Sequence, residues 1–248
     1  MAIPQKIHMT WVDRDIFDHD NPMILNGLRN LRDLNPDWSM TIYLDHEIDY
    51  YLRSHISSQD YNLLIQRPFV ERSDLWRLLK LYHEGGLYID LDRYYNIPLY
   101  DIIDSVTQCL LPTNGDYDFS QDFMASAPGN PIYQRVIDLN LQRRRSGICH
   151  TYYLGAQTYM HGITQELTGQ IIDVDPGPEI FQQLRDQISR YSFIKTHREI
   201  LPWDSMVFKF DPNTFKTGNG QTKLDFYREF GVIHWEKNSW SDMSSSQR

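Results

Sequence analysis

The chain has 248 residues, 41% of them hydrophobic and 13% aromatic, with a formal net charge of −9. That length implies one large domain, and that apolar content supplies a core, which excludes a disordered chain. The acidic balance excludes broad electrostatic binding of nucleic acid, but not a nucleotide whose phosphates are handled by a divalent metal and a few basic residues.

Taken in order, Ile3 to Val12 reads as a first strand, with Pro4 at its start, where a missing N–H is tolerated. It sets Trp11 at or just past the strand's C-terminal end. Pro22 to Leu34 carries Met23, Leu28, Leu31 and Leu34 at helical spacing and is closed by Pro36. Thr41 to Leu44 predicts a second strand, with Asp45 as a possible cap for the next helix. Asp49 to Gln66 predicts one or two helices interrupted around Ser57 and Ser58.

The most informative stretch is Phe69 to Asp92, FVERSDLWRLLKLYHEGGLYIDLD. Arg72 to Glu84 places Leu75, Trp76, Leu78, Leu79 and Tyr82 on one stripe, as a core-packed helix requires. Gly85-Gly86 ends it in a tight turn, and the apolar run after the turn is a short strand. That strand carries Asp90 and Asp92 to its C-terminal end, the edge where open α/β sheets bind ligands. Two carboxylates at i and i+2 share a strand face, with Leu91 turned the other way, and need a cation, a donor or a raised pKa. A bare Asp-x-Asp also describes surface or capping carboxylates; its place after an apolar strand favours a divalent-metal site. Asp74 and Arg77, three apart on the helix, read either as an ordinary helical ion pair or as a second wall of the same cleft. In the second case Asp74 accepts sugar hydroxyls and the Arg77 fork reaches a phosphate.

Beyond Asp92, Pro98 leads into a short turn, Cys109 to Leu111 is a candidate strand, and Phe119 to Ala127 is a strand or strand edge. A helix is expected from about Ile132 to Arg143. Arg143-Arg144-Arg145 reads as a solvated helix end favoured by the dipole, or as a contact to an anionic acceptor. Gly155 to Leu167 predicts a helix, Ile171 to Val174 a short strand, and Glu179 to Ile188 another helix. Ser205 to Asn219 is polar and turn-rich, a candidate lid or hairpin. Phe230 to Trp240 ends the ordered part, with His234, Trp235 and Trp240 read either as core residues or as pocket residues. The tail 241–248 is serine-rich and expected to be loose. Alternating strands and helices predict an α/β fold, a single Rossmann-like domain with a mainly parallel central sheet over residues 1–240.

Cys109 and Cys149 match no metal-ligand spacing and fit a reducing compartment. No stretch approaches the roughly 18 uncharged apolar residues of a membrane span. MAIPQKIHMTW shows no long apolar region and no processing site. The expectation is a cytoplasmic protein, or one soluble in its producing host cell.

The segments IPQKIHMTW, RSDLWRLLKLYHEGGLYIDLD, SQDFMASAPGNP and IHWEKNSW together resemble the family of glycosyltransferases with a DXD sugar-binding region. This is the group that contains yeast α-1,6-mannosyltransferase and is related to capsular and toxin-type enzymes. The resemblance implies a GT-A fold, a nucleotide-sugar donor linked to UDP or GDP, a glycan or glycoconjugate acceptor, Mn²⁺ (Mg²⁺ being the other candidate) and retention of anomeric configuration. It implies that Trp11 stacks on the nucleobase and that Asp74 and Arg77 hold the donor sugar and the departing diphosphate. Asp90 would touch ribose and metal, Asp92 and His234 would ligate the metal, and Ser239 with Trp240 would close the C-terminal motif. Asp122, from its place in the SQDFMAS segment, is the candidate for a group on the β face of the sugar. Gln121, Asn130 and Leu154-Gly155-Ala156 depart from the family's usual Asn, His and Thr-Gly-Pro, so donor identity and linkage stay open. Two rivals remain at this level: a metal-dependent phosphohydrolase or nuclease with further converging carboxylates, and a non-catalytic carbohydrate-binding protein indifferent to metal.

Overall fold

A computed structural model describes residues 2–11, 22–91, 93–95, 97–112, 119–172, 178–188, 190, 194–195 and 207–209. The chain opens with β1 (Lys6–Trp11), α1 (Pro22–Leu34) and β2 (Ser39–Leu44). Two helices come next, α2 (Asp45–His55) and α3 (Ser58–Leu64), so the interruption expected near Ser57 is real. Its cause is local: Ser57 is the N-cap of α3, its hydroxyl accepting from the Asp60 amide at 3.1 Å. The organising helix α4 spans Phe69–Glu84, three residues longer at its start than the apolar stripe alone predicts.

The strands β3 (Gly86–Ile89), β4 (Arg93–Tyr95), β5 (Cys109–Leu110) and β6 (Phe123–Ser126) succeed it, with a 3₁₀ turn at Leu99–Asp101. The remaining elements are α5 (Pro131–Arg145), α6 (Thr151–Leu154), α7 (Ala156–Thr168), α8 (Pro178–Ile188), β7 (Ile194–Lys195) and β8 (Val207–Lys209). Ile171 and Ile172 are not in a strand, and the rest of that expected strand lies outside the described residues. So does the expected boundary between residues 240 and 241.

Among the described residues the main sheet has the order β2-β1-β3-β6-β5-β7. Strands β1 and β2, β1 and β3, and β5 and β7 run parallel, whereas β3 with β6 and β5 with β6 run antiparallel. The sheet is therefore mixed, and the mainly parallel expectation holds only in part. Among the described residues no helix lies between β5 and β6, so the chain returns beside itself in the opposite sense; a parallel return needs a crossover. A separate ribbon pairs β4 antiparallel with β8, which puts at least part of the turn-rich 205–219 stretch into a strand pair.

Side chains alternate across the sheet into two cores. Ile7, Met9, Leu87, Ile89, Phe123 and Ala125 face one side with Leu31, Trp38, Leu99 and Ile102. Tyr88 and Met124 face the other, against Leu75, Trp76 and Leu79 of α4, Tyr133 and Val136 of α5, Tyr159 and Ile163 of α7 and Phe181 of α8. Trp76 is fully buried, and truncating it to alanine should cost about 3–5 kcal/mol.

The turn between α4 and β3 is the tightest point. Gly85 has φ 66° and Gly86 φ 103°. A β-carbon on Gly85 would lie 2.7–2.8 Å from Pro128 Cδ, Pro4 Cδ and the Ser126 carbonyl, so both the conformation and the space demand glycine. His8 of β1, almost wholly buried, donates from Nε2 to the Gly85 carbonyl at 2.9 Å and ties this turn to the sheet.

The arginine run at the end of α5 is solvated only in part: Arg145 is exposed and Arg144 buried, and all three are engaged by neighbouring elements. Arg143 donates to the Tyr153 carbonyl and Thr158 Oγ1, each at 2.9 Å. Arg144 reaches Glu71 at 2.8 Å, and Arg145 grips Asp60 through two bonds of 2.7 Å. The three bind α5 to α3, α4 and α7.

Candidate functional site

The site grows from the α4–turn–β3 unit. The tight turn runs the helix antiparallel to the strand, so the N-terminal half of α4 returns to the C-terminal end of β3. Arg77 Nη2 meets Asp74 Oδ1 at 2.7 Å, and Arg77 Nη1 stands 3.8 Å from Asp90 Oδ1. The expected juxtaposition of the helix pair with the first aspartate is thus observed.

The Arg77 guanidinium is held from several sides. It donates to the Gln121 carbonyl at 2.8 Å and lies over the Tyr88 ring, 4.4 Å from its centroid. Burial works against its charge, but Tyr88, Asp74, Asp90 and Asp122 outweigh it and hold the guanidinium above its usual pKa. Asp74 is pushed up, first by burial and then by Glu71 one turn away, while Arg77 and Arg144 act in the opposite direction.

Asp90 is the more open member, its side chain 36% exposed. Its Oδ1 accepts from the Tyr88 hydroxyl at 2.8 Å, and its amide donates to the Asp122 carbonyl at 2.9 Å. Asp122 is buried, and its Oδ1 accepts from Ser120 Oγ. Trp11 is half-buried and packs against the core on the β1 side; the parallel β1–β3 register carries it to the same sheet edge as Asp90. Asp92, His234, Ser239 and Trp240 lie outside the described residues.

Sequence reasoning passed over Tyr88, which supports both Asp90 and Arg77. The signal was present, since Tyr88 and Asp90 are i and i+2 on one strand and share a face. Gly155, named in the sequence only within the departing Leu154-Gly155-Ala156 segment, borders Asp74: a β-carbon there would come 3.2 Å from Asp74 Oδ2.

A divalent cation is implied by the paired aspartates. Asp90 offers the hard oxygen chemistry such an ion takes, at the open end of a strand. Among the described residues no group of three His, Cys, Asp or Glu side chains could hold a metal. Of the expected ligands, Asp90 alone is among the described residues; Asp92 and His234 lie outside them.

Residues 23–108 match the family described as glycosyltransferase sugar-binding region containing DXD motif. The chain is 28% identical over 149 residues to inositol phosphoceramide mannosyltransferase 1 of Schizosaccharomyces pombe, covering 56% of this chain and 43% of that protein. It is 29% identical over 140 residues to mannosyl phosphorylinositol ceramide synthase CSH1 of Saccharomyces cerevisiae, covering 54% of this chain and 34% of that protein. The chain thus spans less than half the length of these curated relatives. Its fold matches the solved structure of the PaToxG glycosyltransferase with a TM-score of 0.52, at 20% identity and over 75% of each chain. The family resemblance and the GT-A fold both stand. The expectation of a cytoplasmic or freely soluble product does not. The names of the two fungal relatives place their chemistry on ceramide, a bilayer lipid. Among the described residues of this chain, no helix is long and apolar enough to cross a membrane.

Proposed function

We propose that this chain, whose residues 23–108 match the DXD sugar-binding region of glycosyltransferases, is a retaining transferase. It moves a hexose from a UDP- or GDP-linked donor to a hydroxyl of a glycan or glycoconjugate. One observation carries the reading: an arginine fork held between Asp74 at 2.7 Å and Asp90 at 3.8 Å at the C-terminal edge of a sheet strand. A surface ion pair needs no such setting, whereas a leaving diphosphate needs a fixed cation beside a sugar-binding carboxylate. One fungal relative is named a mannosyltransferase and the other a mannosyl phosphorylinositol ceramide synthase, which makes mannose the first hexose to test.

Arg77, kept charged by its neighbours, donates to oxygens of the departing diphosphate. Asp74 accepts hydroxyls of the donor sugar, and Asp90 accepts a ribose hydroxyl. Trp11 offers its face to the base, and Ser239 with Trp240 closes over the donor. Asp90, Asp92 and His234 would hold Mn²⁺, or Mg²⁺ in its place, which neutralises charge developing on the diphosphate when bound. The attacking hydroxyl passes its proton to the departing phosphate on the same face, so no protein base is required. Asp122, engaged by Ser120, acts on Arg77 electrostatically rather than as a nucleophile.

Thermal-shift measurements with UDP- and GDP-sugars, with and without Mn²⁺, test the reading. A stabilisation that needs both nucleotide and metal supports it. Asp92→Ala should abolish Mn²⁺-dependent transfer while the far-ultraviolet circular dichroism stays unchanged. Undiminished turnover in that variant, at saturating donor and metal, would sink the assignment.

A further inference from the structure

A buried ionic network behind Asp74 has no part in the transfer chemistry. Glu71, one turn before Asp74 on α4, is 1% exposed, and both of its oxygens are occupied. Oε1 accepts from Thr151 Oγ1 at 2.9 Å and from Arg67 Nη2 at 3.0 Å. Oε2 accepts from Arg144 Nη1 at 2.8 Å and Arg67 Nε at 3.3 Å. Arg144 Nε then donates to Asn140 Oδ1 at 2.8 Å, and Asn140 Nδ2 donates to the Leu154 carbonyl at 2.6 Å.

These bonds close a ring. It runs from Glu71 through Arg144 and Asn140 to Leu154, back along α6 to Thr151, and from Thr151 to Glu71. The enclosed helix α6 has only four residues, Thr151–Leu154, too few to hold a helical turn in place by its own backbone bonds. The ring adds two tethers to it, at Thr151 and Leu154, beside the bond from Arg143 to the Tyr153 carbonyl. The next residue, Gly155, borders Asp74 closely enough that a β-carbon there would come 3.2 Å from Asp74 Oδ2.

We propose that Glu71, acting through Thr151 and Arg144, is a positioning residue that fixes Gly155 against Asp74 and so sets the sugar-binding carboxylate. The ring grips both sides of one contact, because Glu71 and Asp74 share α4 while Thr151 and Gly155 bracket α6. Loosening α6 lets Gly155 withdraw and opens room beside Asp74 Oδ2, the oxygen not paired with Arg77 in the 2.7 Å contact. Of the nucleotide contacts, those on Asp90 and Trp11 do not pass through α6, and Arg77 is also held by the Gln121 carbonyl and the Tyr88 ring. The inference rests on the transferase reading for the identity of the ligand, but the positioning of Asp74 is a property of the unliganded protein.

Thr151→Val is the discriminating variant, since it removes one hydroxyl and strands no buried charge, and Thr151→Ser restores that hydroxyl. In the unliganded protein, the Asp74 carboxyl ¹³C resonance should move in Thr151→Val and stay near its wild-type position in Thr151→Ser. With donors, Thr151→Val should weaken UDP- or GDP-mannose binding about tenfold and free UDP or GDP less than twofold, with Thr151→Ser close to wild type. An unmoved Asp74 resonance in Thr151→Val, or equal losses for the sugar-linked and free nucleotides, overturns the positioning role. Wild-type protein that binds no nucleotide sugar overturns the transferase reading instead, and the Asp74 resonance still decides the ring.

Discussion

Arg77 carries more of this site than either aspartate, because four groups converge on one planar cation. A lysine at that position keeps the charge but reaches neither Asp74 and the Gln121 carbonyl together nor the Tyr88 ring with a flat face. Arg77→Lys should lower kcat/KM for donor turnover about 100-fold, equivalent to about 2.7 kcal/mol of transition-state stabilisation. Steady-state kinetics at saturating metal measures it, and a loss below threefold would show that point charge alone suffices. His8 gives a second residue-scale prediction. Burial pushes its pKa down to about 4, partly offset by the bond to the Gly85 carbonyl. The unfolded chain binds that proton near pH 6.5 and the folded one only near 4, so the unfolded state binds more protons between them. Stability is therefore full above about pH 6.5 and falls by about 3 kcal/mol as pH drops toward 4. Urea unfolding of wild type and His8→Gln across that range should give curves that converge in acid. Neither His8 nor Tyr88 is legible as important from residue type alone; each matters through a partner brought close by the sheet.

At the scale of elements, the α4–turn–β3 unit was readable because three local signals agree: a 3.6-residue stripe, a glycine pair and an apolar run ending in carboxylates. The prediction is correspondingly sharp. Gly85→Ala meets both a positive φ and three atoms within 2.8 Å, and should cost about 1–3 kcal/mol from backbone strain plus the clash. Gly169→Ala, with φ +71° but nothing within 4 Å of the added carbon, should cost about 1 kcal/mol. Equal losses on chemical denaturation would mean that the crowding at Gly85 relaxes freely. By contrast α6 lies before the helix expected from Gly155 and is not legible as an element, because four residues display no periodicity. The β4–β8 ribbon escaped for a different reason, since each strand has three residues and its partner is remote in sequence.

For the molecule as a whole, a chain of net charge −9 places several of its cations inside. Arg77, Arg144 and Lys80 are all buried, each beside a carboxylate. Composition predicts none of this, since charged residues are ordinarily solvated and a basic run ordinarily faces water. Removing a carboxylate from the interior should cost far more than removing an exposed partner. Glu71→Ala leaves two arginines without their anion and should cost about 3–5 kcal/mol. Arg135→Ala, whose pairing with Glu166 lies at the surface, should cost less than about 1 kcal/mol. Urea titrations of both variants measure the contrast, and equal costs would mean that the Glu71 ring is as well solvated as the surface pair. The mixed sheet shows the same limit of sequence reading: alternation of elements identified the class, but strand direction depends on connections that carry no helix.

The β4–β8 ribbon also bears on synthesis. Strand β4 begins at Arg93, immediately after Asp92, and its partner leaves the ribosome more than a hundred residues later. At about 5–20 residues per second that is a wait of about 5–20 s, during which α4 and β3 can already be in place while β4 presents an open edge. Stalled nascent chains of increasing length should therefore acquire protease protection around Arg77 well before they acquire it around Tyr95. A chaperone that engages this protein during translation would find its target at that edge.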